Sequence, residues 1–276
     1  MLNVALLDVT TNPEKLLFAA GRQCYSSHWV GDAWRRDAEG NVSLIDPEDG
    51  KQVTNKEIVG LLKHLCASGH TSVLEHVKFT FAIDGISRSE THQHVRHRLA
   101  SYSQQSQRYV ANYGAYNPDN YVVPPQIFEN AEAYKIYEDT LMYIQEAYNK
   151  LKDLGVKSED ARYLMPNASV TRIVTTKNCV SLLHFFNLRC CTLAQWEIRN
   201  VANAMLGICR EVLPVVFNDA GPRCKNLGYC PEDKKRSCGK FPTKKEVLEG
   251  YRQWKFGKDN KEFMQAQDNY VEEQIN

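Results

Sequence analysis

The sequence carries almost no net charge. Its 34 Lys and Arg against 33 Asp and Glu leave a formal +1 over 276 residues. Bulk electrostatics therefore give no reason to expect a nucleic-acid partner. No apolar run approaches the length of a membrane span, so no membrane partner is expected. Met1 to Thr10 contains Asp8 and has no basic n-region, so no signal peptide is expected. No internal repeat and no low-complexity tract are present. No Gly-x-Gly-x-x-Gly follows a strand pattern, which excludes a dinucleotide held by a Rossmann turn. Nine cysteines are an odd number in a chain without an export pattern, which points to reduced thiols and a cytoplasmic location.

What is present suits one large domain, or a core with an added subdomain. At 43% hydrophobic the chain can bury a sizeable core. Asn3 to Val9 reads as a first strand. Asn12 can cap a helix starting at Pro13, with Gly21 marking its end. Trp29 to Val53 is polar and Gly- and Pro-containing, and reads as an inserted loop or hairpin. Trp29, Trp34 and Ile45 would anchor it as structural decoration or, alternatively, as a lid. Thr54-x-x-Glu57 is a capping box for a helix with Ile58, Leu61, Leu62 and Leu65 on one face, ended by Gly69. Val77, Phe79, Phe81 and Ile83 alternate with polar residues as a strand, and Asp84-Gly85 reads as its turn. Ser87-x-x-Glu90 reads as a second capping box, opening a short helix that delivers Gln93 and Arg96. Beyond Pro124-Pro125 the pattern predicts a helix over about 127–154, a short helix over 158–163, a strand over 170–176, and helices over 179–188 and 195–212. Past Asn218 the composition shifts, with Cys, Gly and charge over 221–240 and a peripheral helix over 243–254. Strands and helices mix without a βαβ repeat, which indicates an α+β fold.

The densest chemistry lies in Arg96-His97-Arg98-Leu99-Ala100-Ser101-Tyr102-Ser103-Gln104-Gln105-Ser106-Gln107-Arg108-Tyr109. Arginine offers a rigid fork of donors to phosphate and carboxylate. If 104–108 is extended, Gln104, Ser106 and Arg108 share one face. A solvated basic loop, or a single-strand nucleic-acid arm with Tyr102 and Tyr109 as stacking rings, is the competing reading.

The order of residues resembles the flavin-dependent thymidylate synthase family. Arg-His-Arg, seven residues, then Ser106 and Arg108-Tyr109 match that family's signature. Gly69-His70-Thr71-Ser72, Glu75-His76 and Gln93 agree upstream. Ala161-Arg162, Asn178, Asn187-Leu188-Arg189 and Ala194-Gln195-Trp196-Glu197 agree downstream. The resemblance covers roughly Leu2 to Asn218. It implies a catalytic domain over 1–218, with 29–53 as an insertion, and a Cys-containing, partly helical extension over 219–276. It further implies a central antiparallel sheet flanked by helices, a homotetramer, and active sites between subunits.

The implied activity is reductive methylation of dUMP to dTMP. Methylene-tetrahydrofolate would give the carbon and NADPH-reduced FAD the hydride. Methylating C5 of uracil requires making that carbon nucleophilic. A cysteine thiolate can do so by adding to the ring, and Cys190 and Cys191 lie directly after Arg189. A guanidinium beside N3 and O2 can do so by favouring negative charge on the ring. The resemblance implies the second route, with Arg189 as the active-site residue. It places Gln93, Arg96, Gln104, Ser106, Arg108, Arg162 and Arg189 on dUMP. It places Ser72, Arg96, His97, Arg98, Gln104, Asn178 and His184 on FAD, with His70 and Glu75 nearby. Gln104 stands where the family often has glutamate, Val180 where arginine is common, and His184 where asparagine is common.

No metal is expected. His70, His76, His92 and His94 have ligand-like spacings, but no Cys/His set completes a site. Cys224, Cys230 and Cys238 match no Cys-x-x-Cys pattern. Ser106 lacks a Ser-His-acid context for a nucleophile. Trp196 reads as core.

Overall fold

The structure, a computed structural model, describes residues 1–256. Its elements in chain order are β1 (Asn3–Val9), α1 (Pro13–Gln23), α2 (Val30–Ala33), β2 (Trp34–Arg36), β3 (Val42–Leu44), α3 (Asn55–Ala67), β4 (Lys78–Ser87), α4 (Arg88–His94) and β5 (Ala100–Gln104). They continue with α5 (Pro125–Phe128), α6 (Ala131–Asp153), α7 (Ser158–Ala161), β6 (Val170–Asn178), α8 (Cys179–Arg189), α9 (Trp196–Val212), α10 (Pro214–Phe217), α11 (Arg223–Leu227) and α12 (Lys244–Phe256). Four strands form one sheet in the order β1-β4-β6-β5, with every neighbouring pair antiparallel. The fold is α+β, as the mixed pattern predicts. No helix among the described residues is long and apolar enough to cross a membrane.

One face of the sheet carries the core. Phe79, Phe81 and Ile83 of β4 oppose Lys177, Thr175 and Ile173 of β6, and these side chains share that face. Helices α1, α3, α8, α9 and α10 close over it, burying Leu17, Leu62, Phe185, Phe186, Met205 and Phe217. Phe217 packs edge-on against Phe79 at 5.7 Å and Phe186 at 6.0 Å. On the opposite face Ala5, Leu7, Ser101, Ser103 and Arg172 are exposed.

Several local expectations change. Asp84-Gly85 does not end the strand: β4 bulges between Ile83 and Ile86 and runs on to Ser87. Gly85 takes φ 73°, and a Cβ there would lie 2.1 Å from the Met1 carbonyl oxygen. The dipeptide serves a bulge rather than a reversal. Gly21 lies inside α1, where a Cβ would stand 2.8 Å from a Leu65 methyl, so it admits α3 rather than terminating the helix. Asn12 is left-handed and makes no side-chain cap. The single helix expected over 127–154 is broken into α5 and α6, because the Asn130 side chain accepts from the N–H groups of Glu132 and Ala133 and starts a new helix.

Residues 29–53 form α2 and the β2–β3 hairpin. Val42 and Leu44 are buried, and the Lys15 ammonium bonds the Val42 carbonyl. Beyond 218, Cys230 bridges Thr243 and a Thr243–Glu246 capping box opens α12.

Candidate active site

Helix α8 is apolar and buries Leu182, Phe185 and Phe186. The Asn178 side chain caps it, accepting from the Ser181 N–H at 2.8 Å. Its last residue, Arg189, emerges half-buried and donates from Nε to Nε2 of His97 at 2.9 Å. Among the described residues no carboxylate forms an ion pair with Arg189. Burial lowers the guanidinium's proton affinity, Arg96 lowers it further, and Glu90 opposes both. An imidazole nitrogen that accepts must be unprotonated. His97 meets that condition. Burial first, then the charges of Arg189 and Lys177, push it down to about 3. Its ring packs edge-on to Phe185 at 4.8 Å and lies 6.0 Å from His184.

Under this pair lies a buried polar layer. Glu90 bonds His94 at 2.9 Å, both side chains fully buried, and its second oxygen has no partner. Glu90 does not return to the Ser87 backbone, so the expected capping box is only half formed. The Ser87 N–H goes to Glu197 instead, at 2.6 Å. Lys177 donates to the Tyr102 hydroxyl at 2.6 Å. Gln104 donates to Thr91 at 2.9 Å and more weakly to Thr171 at 3.4 Å. A glutamate at 104 could make neither donation while ionised, so Gln104 fits these two hydroxyls.

A second group lies beyond the end of β5. The strand ends at Gln104, and the Arg108 N–H folds back to the Ser106 hydroxyl at 3.2 Å. The extended 104–108 face is therefore not formed, and Gln104 parts from Ser106 and Arg108. Ser106 lines a cavity of about 210 Å³ with Arg88, Asn112 and Ser169. Arg88 Nε and Ser169 Oγ are buried there without partners. Arg88 is held below its ordinary proton affinity by burial and by Arg162. Two guanidiniums repelling one another beside unpaired donors suit an anion. Arg108 pairs with Glu159 at 3.0 Å, and Arg162 donates to the Glu159 carbonyl at 3.1 Å.

The remaining expected residues are spread over several elements. Arg96 and Arg98 are exposed. Gln93 on α4 makes a long bond to the Ser89 carbonyl at 3.4 Å. Ser72 is exposed on the short helix Thr71–His76, as are Glu75 and His70, the latter 6.3 Å from Tyr25. Thr71, Val180, His184 and Asn187 line a groove of about 910 Å³. Of the residues expected on FAD, His184 alone lines it; His184 and Asn187 offer donors there and Val180 an apolar wall. Within one chain the Arg189 group and the Ser106–Arg162 group do not merge.

Glu90, Thr91, Thr171, Lys177 and Arg88 were not legible as site residues. One signal was available: Thr171, Thr175 and Lys177 are polar at the inward period of β6, where apolar residues belong. Trp196 is half-buried beside a cavity near Glu197 rather than in the core. The Cys190 thiol is pushed up to about 11, chiefly by burial. All nine cysteines are free. Burial, with Cys191, Cys230 and Cys238 nearby, raises Cys224. Among the described residues no three His, Cys, Asp or Glu are grouped to hold a metal.

A family profile described as "Thymidylate synthase complementing protein" matches residues 5–215 and sets the class of the chain. "Flavin-dependent thymidylate synthase" of Nitratidesulfovibrio vulgaris strain Hildenborough is 45% identical over 252 residues, covering 88% of this chain and 97% of that protein. The protein of that name from Geobacter sulfurreducens is 44% identical over 247 residues, covering 90% and 98%. That of Clostridium tetani is 41% identical over 260 residues, covering 88% and 96%. The chain belongs to the flavin-dependent thymidylate synthase family. Its fold also resembles a UMP/dUMP methylase, PolB, from Streptomyces cacaoi, solved with 5-Br dUMP. The TM-score is 0.60 at 20% identity, covering 79% of this chain and 93% of that one.

Proposed function

We propose that this chain converts dUMP to dTMP, with methylene-tetrahydrofolate as carbon donor and NADPH as reductant. FAD bound by the protein, once reduced, supplies the hydride. The observation that carries the reading is the Arg189–His97 pair: a guanidinium at the end of an apolar helix, without a carboxylate, fixed by a neutral imidazole. Its two terminal nitrogens remain to face a ligand. Set against N3 and O2 of a uracil, they would favour negative charge on the ring and so raise electron density at C5. The protein's part is to position the ring, exclude water and hold that charge.

Ser106, Arg108 and Arg162, joined by Arg88, would bind the phosphate. Gln93, Arg96 and Gln104 would complete the nucleotide site. Ser72, Arg96, His97, Arg98, Gln104, Asn178 and His184 would hold the flavin, with His184 reaching it from the groove beside α8. Because the two groups stay apart within one chain, the reading requires sites shared between subunits, with a homotetramer as the proposed assembly. Residues 1–218 would carry catalysis and 219–276 would be an extension. The buried, protonated Cys190 thiol speaks against Cys190 as the nucleophile.

Arg189→Ala is the direct test. We expect a folded, flavin-loaded protein that forms dTMP on the order of a hundredfold or more slowly at saturating dUMP, in line with about 2.7–4 kcal/mol for one lost oxyanion donor. Lysine should rescue little, since a point charge cannot reproduce the planar contact. Near-normal turnover removes Arg189 from the mechanism. An equal loss of melting temperature and activity leaves it a structural role only.

A further inference from the structure

Lys177 is 1% exposed, yet none of the ion pairs of the described residues includes it. It lies on the core face of β6, opposite Ala100, with Tyr102 diagonal to it on β5. Its ammonium is 2.6 Å from the Tyr102 hydroxyl. That hydroxyl is in turn 2.9 Å from the His94 carbonyl and 2.6 Å from the His97 carbonyl. A phenol has one proton, and the carbonyls can only accept, so the hydroxyl accepts from Lys177 and donates to the loop. A charged donor polarises the O–H and strengthens its donation.

The far end of the same loop is tied to the next element. The Ser181 hydroxyl of α8 donates to the Leu99 carbonyl at 3.1 Å. Leu99 takes φ 59°, a left-handed conformation that leucine avoids. The Arg96–Leu99 loop is thus clamped at both ends by residues flanking Asn178.

We infer that Lys177 is a positioning residue of the active site: through the Tyr102 hydroxyl it fixes the Arg96–Arg98 loop against the strand and helix that carry Asn178 and Arg189. The inference rests on the reading of Arg189 and His97 given above. Stability alone is a poor reason for this lysine. Burial depresses its proton affinity to about 7, with only partial relief from Glu90. Its ammonium also stands over the faces of Tyr102 at 4.4 Å and Phe185 at 5.5 Å, contacts that a methionine could also make. A buried charge is costly where an apolar side chain of similar volume fits. The lysine also contributes to keeping His97 unprotonated, and so able to accept from Arg189.

The test compares Lys177→Met, Tyr102→Phe and the double variant in the full chain loaded with FAD. Melting temperature, dUMP dissociation constant by calorimetry, kcat and KM are measured for each. We expect each single variant to weaken dUMP binding on the order of tenfold, the scale of a lost hydrogen bond to a charged group. Lys177→Met should melt no lower than wild type. The double variant should bind dUMP no worse than the weaker single, because both changes break one chain of bonds. Wild-type dUMP affinity and kcat in Lys177→Met overturn the inference, and so does a double variant whose losses add. Should Lys177→Met fail to fold, Tyr102→Phe decides alone, since it removes the hydroxyl and keeps the ring. Arg189→Ala measured alongside separates the two readings. If it is impaired while the Lys177 and Tyr102 variants are normal, only this inference fails; if it too is normal, the site reading fails.

Discussion

His97 and Arg189 each hold the other in one state. Arg189 needs an acceptor, and His97 can accept only while unprotonated. The linkage has a measurable sign. His97 is held down to about 3 in the folded chain against an ordinary 6.5. Between those values the unfolded chain takes up a proton that the folded chain refuses. The stability contributed by His97 is therefore fully present above about pH 6.5 and is lost as pH falls toward about 3. Thermal unfolding between pH 7 and pH 4 should show a steeper loss of melting temperature in wild type than in His97→Gln, whose amide oxygen can still accept from Arg189. Parallel pH curves for the two proteins would show that His97 is not buried neutral.

Between β6 and α8 the chain changes period within one residue, and Asn178 makes the change. It ends the strand, paired with Lys78, and caps the helix that ends in Arg189. Asn178→Ala should cost about 1 kcal/mol of stability, typical of a lost N-cap. Asn178→Asp keeps the acceptor and should retain the helix while losing any contact made by the amide nitrogen. Equal flavin affinity in Asn178→Asp and wild type would confine this residue to capping. Elements with local chemistry of this kind could be read from the sequence: β1 from its alternation, α3 from its Thr54–Glu57 box, α8 from Asn178. Others could not, because distant partners decide them. Gly85 sits in a bulge with the Met1 carbonyl against it, and Gly21 is a contact rather than a stop because Leu65 packs there. Lys177 lies just past the strand expected over 170–176. Its pairing opposite Phe79 of β4 and Ala100 of β5 sets it on the core face.

At the scale of the whole molecule, the sequence motifs named Arg189, His97 and the Ser106–Arg108 pair because an ordered set of residue types is itself distinctive. It could not show that they fall into two groups within one chain, since that separation is set by where β5 ends. The sheet is covered on one face and carries exposed Ala5, Leu7, Ser101 and Ser103 on the other. Tyr143 on α6 and Tyr163 beyond α7 are exposed as well. These surfaces are consistent with the proposed assembly, in which one chain's Arg189 group meets another's Ser106 group. The proposed function is a flavin-dependent reaction at a uracil ring in which no cysteine adds to the ring. The most direct test is anaerobic dTMP formation from dUMP, methylene-tetrahydrofolate and NADPH, by protein stripped of FAD and then reloaded. The stripped protein should form no dTMP, and reloading with FAD should restore its formation. Undiminished dTMP formation without FAD, with a trapped thiol–nucleotide adduct at Cys190 or Cys191, would contradict the proposed function.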